Sequence, residues 1–146
     1  GLRSGLLVYG YNPVGPSQLE FKPAMTLKSY TSVIRKVKKG EGVSYNHTWK
    51  APEDSEVAVV PIGYADGWHR FLSNRTTVLW NGQRAPLVGN ICMDYLMVDV
   101  TGLKTETENE VVFFGQSKTG ASISAAEVAQ RAQTIPWEIL TSVGER

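Results

Sequence analysis

Apolar residues in this chain fall mostly in short runs that are typical of β-strands. Such runs predict strands over residues 2–9, over residues 25–37 as one long bent strand, and over residues 57–62. The last of these ends near Pro61, because proline cannot donate to a ladder. Further strands are predicted at 76–80, 84–88, 91–100 and 110–114.

Turn and cap residues divide these strands and place the helices at the C-terminal end. Asn81-Gly82 predicts a tight type I′ hairpin. Ser124 with Glu127 predicts a capping box, and a second helix starts near Ile135-Pro136. The residues expected to be buried by the two helices are Ala125, Val128, Ala129, Ala132, Ile139, Leu140 and Val143. We therefore predict a mainly β fold, an antiparallel barrel-like or Greek-key domain with two short C-terminal helices.

The composition is that of an ordinary globular chain. Its 146 residues are 42% hydrophobic and 20% charged, with a formal net charge of +1. So small a net charge gives no global attraction for nucleic acid or anionic lipid. No apolar run approaches the ~20 residues of a membrane helix. The single cysteine, Cys92, rules out an internal disulfide and favours a reducing, cytoplasmic setting. We expect neither nucleic acid nor a membrane as a partner.

One stretch, residues 43–49 (VSYNHTW), is unusually polar for a predicted β protein. It places a phenol, an amide and an imidazole at the consecutive positions Tyr45, Asn46 and His47. A half-buried strand would alternate apolar and polar residues, so this stretch is either an exposed loop or the wall of a site. Residues 63–67 and 89–94 have a similar character, which favours a site.

General catalytic motifs do not identify the chemistry of that site. His47, His69 and Cys92 lack the spacing of zinc ligands, so we predict no metal. Ser44, His47 and Asp66 could be drawn as a triad, but the sequence has no nucleophile elbow. A lone cysteine is more often a small core residue than a nucleophile. Taken without any resemblance, each aromatic residue here is more often core or interface than catalytic.

Five short motifs, taken in order, resemble the alanine racemase family. They lie at 3–6 (RSGL), 43–45 (VSY), 61–68 (PIGYADGW), 89–94 (GNICMD) and 134–138 (TIPWE). Each is weak alone, but five in register across nearly the whole chain are specific. The resemblance implies that residues 1–10 are the last strand of an α/β barrel and residues 11–146 the C-terminal β domain. The rest of the barrel, with the lysine that binds the cofactor, is not in this sequence, so we expect a piece of a longer protein.

The resemblance implies a homodimeric pyridoxal 5′-phosphate enzyme that interconverts L- and D-alanine and supplies D-alanine for the cell wall. Tyr45 matches the tyrosine that deprotonates L-alanine and reaches the cofactor of the partner subunit. A phenol has an ordinary pKa of ~10, so it acts as a base only where its neighbours favour the phenolate. Met93 matches the methionine whose backbone N–H holds the substrate carboxylate. Without the lysine, this chain alone is expected to be inactive.

The resemblance assigns further residues to the cofactor and to the substrate corridor. Arg3 matches an arginine facing the pyridine nitrogen, where a permanent cation keeps that nitrogen unprotonated. The backbone of Gly5 and Leu6 is expected to lie against the phosphate. The residues matched to the corridor and to the neighbourhood of the methionine are Tyr64, Arg70 and Asp94.

Three positions depart from the family pattern. Trp137 stands where a tyrosine usually bonds the phosphate and narrows the entrance, and an indole N–H is differently placed. Asn90 replaces a common arginine of the corridor, which removes a charge from the approach path. Asn46 replaces a usual glycine, although asparagine tolerates left-handed geometry.

These departures leave related amino acids open as substrates, and three classes of parent protein remain. The parent protein is an alanine racemase, a serine or broad-specificity amino-acid racemase, or the owner of a non-catalytic β module for dimerisation or binding. For either racemase, residues 43–49 and the loops near Tyr64 and Met93 should converge on one edge of the domain. Apolar surface should also be exposed there.

Overall fold

The computed structural model describes residues 1, 3–12, 19–31, 33–106 and 108–144. Within these ranges the chain forms ten strands, two α-helices and four short 3₁₀ helices. The strands are β1 (Leu27–Tyr30), β2 (Val33–Val37), β3 (Gly42–Val43), β4 (Trp49–Lys50), β5 (Ser55–Val60), β6 (Thr77–Trp80), β7 (Gln83–Val88), β8 (Leu96–Asp99), β9 (Glu110–Gln116) and β10 (Ser122–Ile123), and the helices are α1 (Ala125–Ala132) and α2 (Pro136–Thr141). No helix in the described part of the chain is long and apolar enough to span a bilayer.

The main sheet is antiparallel and has the order β1-β9-β6-β7-β8-β5-β2, with β10 added to β9. Its first and last strands, β1 and β2, are the two halves of one bent segment, so the sheet must curl until its edges approach each other. Thr31 at the bend ties the edges together. Its N–H donates to Asn109 O at 3.3 Å and its hydroxyl donates to Val59 O at 3.0 Å. The mainly β, curled antiparallel fold with two short helices is confirmed, and the single long strand is replaced by two.

The local turn and cap predictions hold with one change. Asn81 and Gly82 link β6 to β7 with φ of 48° and 85°, as a type I′ turn requires. Ser124 Oγ accepts the Glu127 N–H at 3.0 Å at the start of α1. The Glu127 carboxylate binds Arg84 on β7 instead of returning to the cap, so it joins the helix to the sheet.

The core lies inside the curled sheet and under the two helices. β9 is buried along six of its seven residues, and the Trp68 ring packs edge-on against Phe113 with centroids 4.9 Å apart. Burying a large apolar side chain contributes about 1.5–3 kcal/mol. The largest fully buried side chains are Trp68, Trp80, Phe113, Phe114, Leu72, Leu79, Leu87, Ile91, Leu96 and Ile123.

The strand predicted at residues 2–9 is wrong over the described residues. Gly5–Tyr9 is a 3₁₀ helix, with Gly5 at φ 54° and Gly10 at φ 80°. The backbone closes local bonds, such as Gly10 N–H to Leu7 O at 3.1 Å, and pairs with none of the described strands. A short apolar run does not distinguish a buried strand from a helix. Assignment of residues 1–10 to a barrel stays a prediction.

Candidate active site

The tyrosine loop, residues 44–48, joins the short strands β3 and β4. Val43 pairs with Trp49 at its base, and Tyr45 projects with 69% of its surface exposed. The residues on both sides of Tyr45 have unusual backbone angles. Ser44 lies at φ 64°, ψ −177°, and Asn46 at φ 61°. The Ser44 conformation costs on the order of 1–3 kcal/mol, so the surroundings must hold it, whereas asparagine tolerates the left-handed angle of Asn46.

Two hydrogen bonds from the 89–94 segment hold the tyrosine loop. Ser44 Oγ donates to Asn90 O at 2.6 Å, and Asn90 Nδ2 donates to Tyr45 O at 2.8 Å. Gly89 allows this approach, because a Cβ there would lie 2.8 Å from Ser44 Cβ. Asn90 is only 8% exposed. Its side chain is therefore part of the wall behind Tyr45 and not of the surface over which a substrate would approach.

A second asparagine fastens the far end of the same loop. Asn74 donates through Nδ2 to Thr48 Oγ1 at 3.1 Å and accepts the Gly89 N–H on Oδ1 at 2.6 Å. The neighbouring Ser73 hydroxyl accepts the Ile91 N–H at 3.0 Å. Three loops are thus bonded to one another around Tyr45.

The loop that carries Tyr64 is bonded to the loop that carries Met93. Tyr64 N–H donates to Cys92 O and Ala65 N–H donates to Met93 O, both at 3.0 Å. Gly63 lies against the same backbone, since a Cβ on it would come within 2.2 Å of Met93 O. The carbonyls of Cys92 and Met93 are thus occupied, whereas the Met93 N–H has no acceptor among the described residues.

These contacts bring residues 43–49 and the loops near Tyr64 and Met93 to one edge of the domain, as expected. An open cavity of about 500 Å³ lies there. Its lining residues are Ser44, Tyr45, Asn46, His47, Val59, Cys92, Tyr95 and Met97. The Tyr45 hydroxyl forms no hydrogen bond with the part of the chain that is described, so it is free to meet a ligand.

The surface around this cavity is rich in exposed apolar side chains, as expected. Tyr64, Met93 and Tyr95 are 42%, 52% and 48% exposed. Arg70 is exposed at the start of a 3₁₀ turn, and Asp94 is half-buried beside Met93. An unpartnered apolar patch of this kind typically marks a binding surface.

The residues matched to the cofactor lie in a second region. Leu6 and Trp137 line a cavity of about 310 Å³ together with Tyr11, Asn12, Ala126 and Pro136. The Tyr11 hydroxyl accepts the Ala125 N–H at 3.0 Å, which fastens this N-terminal segment to α1. Arg3 is exposed and has no ion pair within the described ranges, and Gly5 is also exposed. The two cavities share no lining residue.

Other candidate chemistries find no matching geometry. Ser44 donates to Asn90 O, and Asp66 accepts the Gly63 N–H at 2.8 Å, so these two are engaged elsewhere and form no triad with His47. Among the described residues, no three His, Cys, Asp or Glu side chains come close enough to hold a metal ion.

Sequence reasoning missed the structural roles of Asn90 and Asn74. An asparagine in a polar loop looks the same whether it faces solvent or a distant carbonyl. The one pointer is Gly89, next to Asn90, because a glycine often marks a close backbone approach.

Comparison with known proteins gives one consistent result. Residues 24–146 match the family described as "Alanine racemase, C-terminal domain". The alanine racemase of Thermodesulfovibrio yellowstonii is 44% identical over 147 residues, which covers 99% of this chain and 39% of that protein. Two solved alanine racemases also superimpose. That of Bacillus anthracis, with bound L-Ala-P, has 35% identity and a TM-score of 0.86, covering 96% of this chain and 36% of its own. That of Bartonella henselae, with covalently bound pyridoxal phosphate, has 34% identity and a TM-score of 0.86. The match covers 97% of this chain and 38% of the Bartonella chain.

The curled antiparallel β domain therefore superimposes on one part of solved racemase chains. The chain belongs to the alanine racemase family and corresponds to its C-terminal domain, which confirms the resemblance seen in the motifs. It spans about two fifths of the length of the curated relatives it matches.

Proposed function

We propose that the full-length protein is a pyridoxal-phosphate-dependent alanine racemase in which Tyr45 removes the α-proton of L-alanine. One observation carries the proposal. The Tyr45 loop and the Met93 loop are bonded to each other, and each presents a group without a partner in the described chain, a phenol and a backbone N–H. A base and a carboxylate donor are what proton removal from an amino acid requires. Relatives named alanine racemase support the substrate.

We propose that the second region binds the cofactor, and its chemistry supports this. Arg3 supplies a cation that no described carboxylate neutralises, and a Cβ at Gly5 would meet open space, so the backbone there can be approached closely. Leu6 and Trp137 provide an apolar wall, on which an indole N–H can donate to a phosphate oxygen. When bound, pyridoxal phosphate would delocalise the negative charge left on the α-carbon.

The residues of this chain would then divide the work at the substrate. The Tyr45 oxygen would accept the proton on one face of the α-carbon. The Met93 N–H would hold a carboxylate oxygen and fix which face is presented. A backbone donor suits this task, because it cannot rotate away and bonds to an anion are strong. We propose that Tyr64, Arg70 and Asp94 line the corridor that leads there.

The exposed apolar surface around Tyr45 supports a homodimer. Tyr45, Tyr64, Met93 and Tyr95 would be covered by the barrel and by a partner subunit, and Tyr45 would serve the partner's cofactor. We also propose that the enzyme works in the cytoplasm, since its free cysteine suits a reducing compartment. There it would supply D-alanine. The chain of 146 residues alone would not racemise alanine.

One observation favours a broader substrate range as a second candidate. Trp137, 40% exposed, lines the cavity of the second region where the family pattern has a tyrosine. An indole has a different outline and donates from a different position, so the size limit at the entrance changes. Rates with serine compared with alanine would measure this.

The proposal is tested by Tyr45→Phe in the full-length protein. Loss of a general base typically costs 10²–10⁴-fold in rate, so we expect release of the L-alanine α-proton to slow by about that factor. The absorbance of the bound cofactor should stay unchanged. Tyr30→Phe is the matched control, because Tyr30 is also exposed, on β1 outside the two cavities. Unchanged α-proton exchange in Tyr45→Phe would refute the role of Tyr45 as base.

A further inference from the structure

Asn90 occupies an unusual place for a residue in the 89–94 motif. Its side chain is buried, and its amide donates at 2.8 Å to the backbone carbonyl of Tyr45 itself. We propose that Asn90 is a positioning residue that sets the distance between the Tyr45 base and the carboxylate donor of Met93. This inference rests on the proposed function, since it assigns Asn90 a task in the same reaction.

We call the two hydrogen bonds between Asn90 and residues 44–45 the Asn90 clamp. The backbone conformation of the tyrosine loop makes this clamp necessary. Ser44 at φ 64°, ψ −177° lies in a region that is essentially restricted to glycine. Asn46 at φ 61° is left-handed, which asparagine tolerates. The Ser44 conformation costs on the order of 1–3 kcal/mol, so it would relax without opposing contacts. Relaxation would turn the peptide groups on either side of Tyr45 and so redirect its phenol. Two hydrogen bonds oppose that change, one from Ser44 Oγ to Asn90 O and one from Asn90 Nδ2 to Tyr45 O. Both involve the same residue, Asn90.

The clamp also joins the two functional groups into one unit. Asn90 is three positions before Met93, in a segment whose backbone is bonded to the Tyr64 loop and whose Cys92 N–H donates to Tyr95 O at 2.8 Å. The position of Tyr45 is thus fixed relative to the segment that carries the Met93 N–H. Catalytic groups must be held within about 0.5 Å of their productive geometry, and a misplacement of about 1 Å can cost on the order of a hundredfold in rate.

The test uses Asn90→Leu and Asn90→Asp in the full-length enzyme. Both remove the donor to Tyr45 O, one without charge and one with it, so an effect shared by both reports the donor. We expect kcat/KM to fall on the order of tenfold to a hundredfold. Asn109→Asp is the matched control, since Asn109 is also buried and its amide donates to Glu106 O at 2.9 Å, at the turn before β9.

Deuterium isotope effects separate positioning from loss of folded enzyme. Racemisation needs a proton transfer on each face of the α-carbon. If only the Tyr45 step is slowed, the isotope effect on kcat/KM rises for α-deuterated L-alanine and falls toward one for α-deuterated D-alanine. A smaller folded fraction would lower both rates and leave both isotope effects as in the parent. Tyr45→Phe should move them in the same two directions.

A readout independent of activity is amide hydrogen exchange over residues 43–49, which should become faster in both Asn90 variants and not in Asn109→Asp. Unchanged isotope effects and exchange in folded Asn90 variants would overturn the clamp while Tyr45→Phe still supports the base. Variants that fail to fold would assign Asn90 to stability and overturn the clamp as well. An unaltered Tyr45→Phe enzyme would instead refute the proposed function.

Discussion

The tyrosine region, which is the cavity beside Tyr45 with its three loops, is built by different physical means from the tryptophan region, which is the cavity lined by Leu6 and Trp137. Around Tyr45, exposed loops are held in costly conformations by hydrogen bonds, chiefly those of Asn90 and Asn74. Around Trp137, a 3₁₀ helix and two α-helices meet through apolar packing, with Leu6 buried among them. The first region fixes directions, because hydrogen bonds are directional. The second provides a wall, because apolar contacts fix shape more than angle.

This difference separates the ways in which the two regions can fail. Damage to packing should lower the stability of the whole domain, whereas damage to the loop bonds should misplace reactive groups in a domain that remains folded. Substitutions confined to one region therefore test whether the two are independent.

The largest stability effect is expected from Leu6→Ala. Leu6 is 4% exposed and belongs to the main core, so its truncation should cost about 2–4 kcal/mol through lost burial and a cavity. Urea unfolding of the chain would measure the loss. Leu19→Ala, at a side chain 71% exposed, should cost far less. Faster amide exchange of residues 43–49 in a fully folded Leu6→Ala chain would contradict the independence of the two regions.

Gly63→Ala should disturb the position of the Met93 loop more than the stability of the domain, which is the opposite of Leu6→Ala. The new Cβ would meet Met93 O at 2.2 Å and Cys92 O at 2.3 Å, both backbone atoms, so the Met93 loop must move. Overpacking of this kind costs about 1–3 kcal/mol. We expect KM for alanine to rise in the full-length enzyme, since the carboxylate donor is displaced. Gly144→Ala, where a Cβ meets nothing within 4 Å, is the control. An unchanged KM would show that Met93 does not hold the substrate.

Local elements of the fold differed in how far the sequence could predict them. The hairpin at Asn81-Gly82 and the cap at Ser124 follow from local chemistry, and both are present. The 3₁₀ helix at Gly5–Tyr9 was mistaken for a strand, because a short apolar run has no periodicity that separates the two.

The candidate site could be read only where the residue types themselves carry chemistry. Tyr45 and Met93 were predicted as site residues through motifs, and their convergence was expected from the family. The clamp by Asn90 depends on a bond between residues 45 positions apart. No local pattern records such a contact, and a comparison with the family pattern presented Asn90 only as a lost charge.

The smallest effect, and the one that probes the scaffold between the two regions, is expected from Glu127→Gln. Arg84 on β7 donates two hydrogen bonds, of 2.5 and 2.8 Å, to the Glu127 carboxylate of α1. This hydrogen bonding lowers the pKa of Glu127 below its ordinary 4.5. A carboxyl whose pKa is lower in the folded chain stabilises the fold above its unfolded pKa, and that stabilisation is lost as the pH falls through the folded value. The pair is partly exposed, so Glu127→Gln should cost about 0.5–1 kcal/mol at neutral pH.

The difference between Glu127→Gln and the parent should shrink as the pH is lowered below about 4.5, because the parent then also loses the charge that Arg84 binds. Urea unfolding at a series of pH values measures it. Glu20→Gln, at an exposed residue without an ion pair in the described chain, is the matched control. Because helix α1 also carries Ala126 of the tryptophan cavity, a loosened α1 should speed amide exchange there and leave residues 43–49 unchanged. Faster exchange in both places would mean that the sheet transmits the change, and that the two regions are one mechanical unit after all.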